Sequence, residues 1–114
     1  ISSVQVQNVG STATTVTLTY APNTVGQDPG AAAPCPTPTA KTNIPLAVGA
    51  SITFLQSGAG SAADGFDAQF ATCRYVGSAT VTAANTSDKI VAIVNQVILG
   101  GGNDSLFTYN SFNQ

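Results

Sequence analysis

The sequence predicts an all-β protein: an antiparallel β-sandwich of the immunoglobulin-like class, with seven to eight strands in a single domain over residues 1–114 and one disulfide. Three observations lead there. Apolar and polar residues alternate with a period of two in run after run, the signature of half-buried strands. Glycine, asparagine, serine and proline punctuate those runs at short intervals, as turns between strands require. Thr, Val, Ala, Ser, Gly and Asn dominate the composition, and 43% hydrophobic residues with a net charge of −2 describe a chain that folds, not a highly charged disordered one. At 114 residues such a chain buries roughly two thirds of the surface it exposes when unfolded, enough for a core without a metal.

The elements follow in order. Val4-Gln5-Val6-Gln7 alternates apolar and polar, and Thr15-Val16-Thr17-Leu18-Thr19-Tyr20 does so over six residues with threonine on one face. Each reads as a half-buried antiparallel strand. Residues 8–13 contain Gly10 and Ser11, turn chemistry that predicts the first strand folding back on the second as a hairpin. Residues 51–55 and 77–83 form the next two strands. Ile90-Val91-Ala92-Ile93-Val94 is continuously apolar, which predicts a central strand buried on both faces. Residues 106–110 close the chain as a strand, after a loop at 100–104 whose consecutive glycines exclude a helix. Shorter strands around 44–48 and 71–75 bring the count to seven or eight.

Two segments break the pattern. Residues 26–42 hold four prolines, two glycines and no periodicity, predicting an extended loop that serves as a protruding contact surface, a glycosylated threonine tract or a plain crossing between sheets. Residues 58–67 form a glycine-rich turn whose Phe66 tucks onto the core; the GK[ST] ending of a phosphate loop is missing. Cys35 and Cys73 are an even pair without a CxxC motif or a nearby histidine, which argues against a metal or redox site and for a disulfide. Closing a loop of that length stabilises a fold by about 3 to 4 kcal/mol in the chain-entropy model, and such bonds persist in oxidising, extracytoplasmic compartments. The opening Ile1-Ser2-Ser3-Val4, with neither an initiator Met nor a basic segment, is that of a processed or excised protein.

Chemistry is excluded more readily than assigned. The chain has no histidine, glutamate, methionine or tryptophan, and its charged residues amount to 7%. General acid–base catalysis draws on His, Glu, Asp, Lys or Cys, of which only five aspartates, two lysines and two cysteines are present, and a Ser/His/Asp arrangement is impossible without histidine, so we expect no enzyme, no catalytic residues and no cofactor. Three basic residues, Lys41, Arg74 and Lys89, cannot neutralise a run of phosphates, so no nucleic-acid partner is expected. The longest apolar stretch, residues 90–99, is interrupted by Asn95 and Gln96 and is about half of what a membrane helix needs, so no membrane span is expected. A long N-terminal apolar helix like that of type IV pilins is also absent. Asp64 and Asp67 do not match a calcium loop, and no metal is expected. Lys89 beside Asp88 reads as a solvated turn. A Lys–Asn isopeptide bond has only aspartate to assist it. Asn85-Thr86-Ser87 and Asn103-Asp104-Ser105 are sequons in turn contexts, which makes Asn85 and Asn103 candidate glycan acceptors.

Residues 4–20, the middle segments Gly77-Ser78-Ala79-Thr80-Val81-Thr82 and Ile90-Val91-Ala92-Ile93-Val94-Asn95-Gln96, and the ending Thr108-Tyr109-Asn110-Ser111-Phe112 together resemble the tandem β-sandwich repeats of secreted surface proteins from Chloroflexota-type filamentous bacteria. That resemblance implies extracellular, non-enzymatic modules and carries no catalytic residues. The segment around Cys35 and residues 69–75 depart from it as insertions, which a Cys35–Cys73 bond would join.

With so little charge, copies of the chain scarcely repel one another. The expected partner is therefore the chain itself, in a homopolymeric filament or surface layer outside the cell. The terminal strands at 4–9 and 106–109 carry no charged residue. Val4, Val6, Val9, Leu106, Phe107 and Tyr109 are accordingly the candidate assembly positions, pairing with the neighbouring copy or donated into it, the alternative being that both strands pair inside their own domain. The alternatives are an adhesion or carbohydrate-binding module, which has few aromatics to offer in Tyr20, Tyr75 and Tyr109 and five phenylalanines, and a spacer repeat in a larger surface protein.

Overall fold

Alternation decides the faces, and the faces decide the layers. The computed structural model describes residues 2–22, 38–56, 73, 75, 77–98 and 105–112. Among these are seven strands: β1 (Ser2–Asn8), β2 (Thr14–Pro22), β3 (Lys41–Leu46), β4 (Ser51–Gln56), β5 (Gly77–Ala83), β6 (Ile90–Ile98) and β7 (Ser105–Phe112). They form one antiparallel sheet in the order β4-β1-β6-β7 and a second in the order β3-β2-β5. No helix occurs among the described residues.

The two sheets bury one common core. Val4 and Val6 of β1, Phe54 of β4 and Ile90 of β6 come from the first sheet; Val16, Leu18 and Tyr20 of β2 and Leu46 of β3 come from the second. Register explains the selection, because directly opposed residues of an antiparallel pair share a face. Val4 stands between Phe54 and Val94, and Val6 between Ile52 and Ala92, so each row across the first sheet is apolar inside. The next rows, Thr53–Gln5–Ile93 and Ser51–Gln7–Val91, face outward. On the second sheet Val16, Leu18 and Tyr20 lie opposite Ala83, Val81 and Ala79 of β5. A β-sandwich is therefore the architecture these residues build.

Two expectations need correction. The first two strands do not form a hairpin: β1 pairs with β4 and β6, whereas β2 pairs with β3 and β5, so residues 9–13 arch from one sheet to the other. Both strands carry a strongly apolar face, and placing them in facing sheets lets those faces cover each other; side by side they would lie in the same layer. Strand β6 is central, between β1 and β7, but it is not buried on both faces: Ile90 is buried, while Val91 to Asn95 are only half-buried because the outer side of the sheet is open. The strand order also differs from the ABED and CFG order of constant immunoglobulin domains. Cys73 and Tyr75 belong to no strand, and residues 71, 72 and 74 lie outside the described residues.

The arch is made by Asn8. Following Val4 and Val6 on the inward face, it occupies the next core position and is 1% exposed. Its side-chain amide donates to the carbonyls of Thr12 (2.8 Å) and Leu46 (3.2 Å), and its side-chain oxygen accepts from Gly10 N (2.9 Å). Its backbone N donates to Ala50 O and its carbonyl accepts from Gly49 N, both at 3.0 Å. Every polar group of a buried asparagine is thereby paired, as the cost of leaving one unmade demands.

The β3–β4 connection is a second arch. Ala50 N donates to Ala47 O (3.0 Å), and Gly49 sits at φ 73°, the position where a type II turn requires a residue free to take positive φ. At the far end of the sandwich Tyr20 and Tyr75 meet edge to face with centroids 5.6 Å apart, and Gln56 of β4 donates to the Tyr20 hydroxyl across the two sheets (3.2 Å).

Replacing Asn8 with alanine strands the Leu46 carbonyl and the Gly10 amide, and we expect a loss of about 1–3 kcal/mol per unsatisfied buried group. Urea denaturation of Asn8→Ala measures it, with faster hydrogen exchange at Gly10 N as the local signature. Unchanged stability would mean that the arch is held by other contacts.

Candidate functional site

A sandwich offers a partner its edges, its outer faces and its loop-bearing ends. Edges come first because an open strand edge presents unpaired N–H and C=O groups to any other chain. Strands β4, β7, β3 and β5 are the outermost in their sheets.

The candidate assembly residues separate at once. Strand β1 has partners on both sides, so it presents no open edge; Val4 and Val6 are core residues, 5% and 0% exposed. Val9 lies beyond the strand end and is half exposed, as is Val48 in the β3–β4 turn. Leu106, Phe107 and Tyr109 lie on β7, in register with Val97, Gln96 and Val94 of β6, and among the described residues no strand lies on the other side of β7.

The two edges of the smaller sheet are not alike. Strand β3 carries Lys41 and Pro45, and its pairing with β2 slips between Val16 and Leu18. There Asn43 takes a left-handed φ of 54°, with its N–H bonded to the Thr17 hydroxyl (3.2 Å). A charge, a proline and a bulge are the devices that keep an edge from pairing with a stranger.

Strand β5 (GSATVTA) has none of them. Residues 77–80 are exposed, and no described strand lies beyond β5. Its backbone direction follows from Ala84 N donating to Thr15 O at 3.0 Å. Antiparallel pairs alternate, so in the same register Thr82–Thr17, Thr80–Thr19 and Ser78–Ala21 are the hydrogen-bonded pairs. The N–H and C=O groups of Ala79, Val81 and Ala83 therefore point away from β2. Gly77 lets the strand start this close to β2, since a Cβ there would lie 2.3 Å from the Ala21 carbonyl.

The outer face of the larger sheet carries a shallow depression of about 280 Å³ lined by Gln5, Gln7, Ser51, Val91 and Ile93. Amides and a hydroxyl stand there beside aliphatic side chains, with no aromatic among the described lining residues.

The end of the sandwich that holds the Asn8 arch also holds Asp88. One Asp88 carboxylate oxygen accepts from the Thr14 hydroxyl (2.6 Å), from Asn85 N (3.0 Å) and from the Asn85 side-chain amide (3.1 Å). These bonds hold its carboxyl below the usual aspartate value, the Thr14 bond contributing most. The site ties the β5–β6 turn to the start of β2. Asn85 is thus an exposed turn residue whose amide is engaged by Asp88, while Asn103 lies outside the described residues, as do Asp64 and Asp67. Cys73 is disulfide-bonded and packs half-buried against the core; Cys35 lies outside the described residues. Among the described residues no group of three or more His, Cys, Asp or Glu is placed to hold a metal, and no helix is long and apolar enough to cross a membrane.

Sequence reasoning missed Asn8 and the β5 edge. Asn8 was signalled by its place: it continues the inward row begun by Val4 and Val6, immediately before turn residues. The edge had no local signal, because which strands are outermost is a property of the pairing. No protein-family model, curated protein or solved structure matches this chain.

Because the folded-state pKa of Asp88 is depressed, its bonds contribute stability above the unfolded value near 3.8, and that contribution is lost as pH falls through the lower folded value. Thermal melts from neutral pH down into the acid range should show Tm declining below that point, with a shallower decline for Asp88→Asn. Parallel declines in the two proteins would remove Asp88 from the account.

Proposed function

We propose that this chain is a non-enzymatic structural module working outside the cell, a subunit of a self-assembling filament or surface layer, akin to the tandem sandwich repeats of secreted surface proteins in Chloroflexota-type filamentous bacteria. Copies join through sheet edges or a donated strand. The observation that carries this reading is the asymmetry of the edges: β3 is guarded by Lys41, Pro45 and a bulge, whereas β4, β5 and β7 contain no charged residue and no proline. A net charge of −2 offers little repulsion between copies.

Donation has a natural candidate in β1. It fills the slot between β4 and β6, and the same strand from a neighbour would restore the same apolar rows. Deleting residues 1–9 would empty that slot, so it tests exchange only when the missing strand is supplied as a peptide. The four-plus-three layering supports an immunoglobulin-like reading of the sandwich in its layers, though not in its strand order. On this reading Cys35, the other cysteine of the chain, is the partner of the disulfide-bonded Cys73.

A second reading, adhesion to a carbohydrate or host surface, draws on the depression lined by Gln5, Gln7 and Ser51, whose amides and hydroxyl could meet sugar hydroxyls. A glycan array with the purified chain tests it, and an absence of hits would set it aside.

Negative-stain microscopy and light scattering of the purified chain test the assembly reading. Filaments or sheets are the expected result, and their formation should change little between about 0.05 M and 1 M NaCl, because the joints carry no charges to screen. Monodisperse single domains at every concentration would overturn it. Alkylation of the unreduced chain should find no free thiol, and reduction should lower stability by about 3 to 4 kcal/mol.

A further inference from the structure

We propose that β5 is the joint: it pairs antiparallel with β5 of a second copy about a twofold axis through Thr80, fusing two three-stranded sheets into one of six strands. The proposal rests on the assembly reading above and names the edge and register that carry it.

Four observations converge on this occupant. The backbone groups of Ala79, Val81 and Ala83 face away from β2 and meet no described strand. The axis through Thr80 brings Ala79 opposite Val81 of the second copy and Gly77 opposite Ala83, so that outward-pointing groups meet outward-pointing groups, as an antiparallel ladder requires. Thr80 then faces its own counterpart, and Ser78 faces Thr82, as non-hydrogen-bonded pairs, the closer kind. On the outer face this makes an uninterrupted row of hydroxyls, a favourable cross-strand combination. On the inner face Ala79 and Val81 extend the apolar side of the sheet, where Val81 and Ala83 already pack against the core.

Strand β4, also uncharged, does not match itself in this way. An axis through Thr53 sets Ser51 against Leu55, and one through Phe54 sets Ile52 against Gln56, so each opposes a polar to an apolar residue. The guarded β3 edge is excluded by Lys41, Pro45 and the bulge at Asn43. Because a twofold joint closes on itself, it makes dimers, and a filament then needs a second contact at the far sheet, where β4 and β7 are outermost.

A cysteine scan of the full chain tests the axis. Directly opposed non-hydrogen-bonded residues have Cα atoms about 4.5 Å apart, within disulfide reach. Thr80→Cys should therefore cross-link to a covalent dimer under mild oxidation, read on a non-reducing gel and mapped by mass spectrometry to distinguish it from the native cysteines. Thr82→Cys should not cross-link with itself, and an equimolar mixture of Ser78→Cys and Thr82→Cys should cross-link with each other. Thr80→Lys, on an exposed position, should keep the melting temperature while weakening association about fivefold at low salt, from two like charges opposed in water. If Thr80→Cys cross-links no more than a control at exposed Thr12 while the wild-type chain still assembles, the β5 joint is wrong and the assembly reading survives. Cross-linking of Thr80→Cys with Thr82→Cys instead would overturn the axis through Thr80. A wild-type chain that stays monomeric throughout would overturn both.

Discussion

A buried amide sets the topology of this protein. Asn8 stands in an apolar row where a third valine would continue the pattern, and its presence there is tolerable only because the arch, the end of β3 and the β3–β4 turn all turn polar backbone toward it. An unpaired amide in that position would cost more than most single contacts contribute. The chain must therefore bring residues 10–12, Leu46 and Ala50 to one place, and doing so forces β1 and β2 into facing sheets. Asp88 repeats the device on a more exposed site, gathering Thr14 and Asn85 so that the β5–β6 turn closes the same end. Packing of aliphatic rows supplies the driving force; these two polar clusters choose among the ways those rows could be stacked.

The surface follows an opposite economy. Most soluble domains keep their edges solitary with lysine, proline and bulges, and β3 uses all three. The other outermost strands use none of the first two, and β5 adds exposed side chains with outward-facing backbone groups. A chain with this little charge also forgoes the long-range repulsion that keeps copies apart. An edge of this kind pairs readily with another strand that reaches it.

Strand β1, paired on both sides, constrains any assembly that uses it. It has a ladder on each side and supplies Val4 and Val6 to the buried core. A strand so placed links copies only by exchange, with its slot refilled by the same sequence from a neighbour. Edge pairing needs no such opening and so asks less of the fold. The two routes differ physically: exchange couples assembly to partial unfolding, whereas edge pairing leaves each core intact.

The positions of most strands were legible in the residues, because period-two alternation of Val with Gln and of Val or Leu with Thr leaves a strand one stable face to bury; β5 was read residue for residue, β4 to within one residue and β7 to within two at either end. Partnership between strands was not. The turn residues Gly10 and Ser11 permit either a hairpin within a sheet or an arch between sheets, and only the summed burial of both apolar faces, with Asn8 satisfied between them, selects the arch. The half-buried face of β6 and the edge of β5 that no described strand covers follow from that choice: a strand's neighbours, and hence what they leave uncovered, are decided by contacts far apart in the chain that no local pattern encodes.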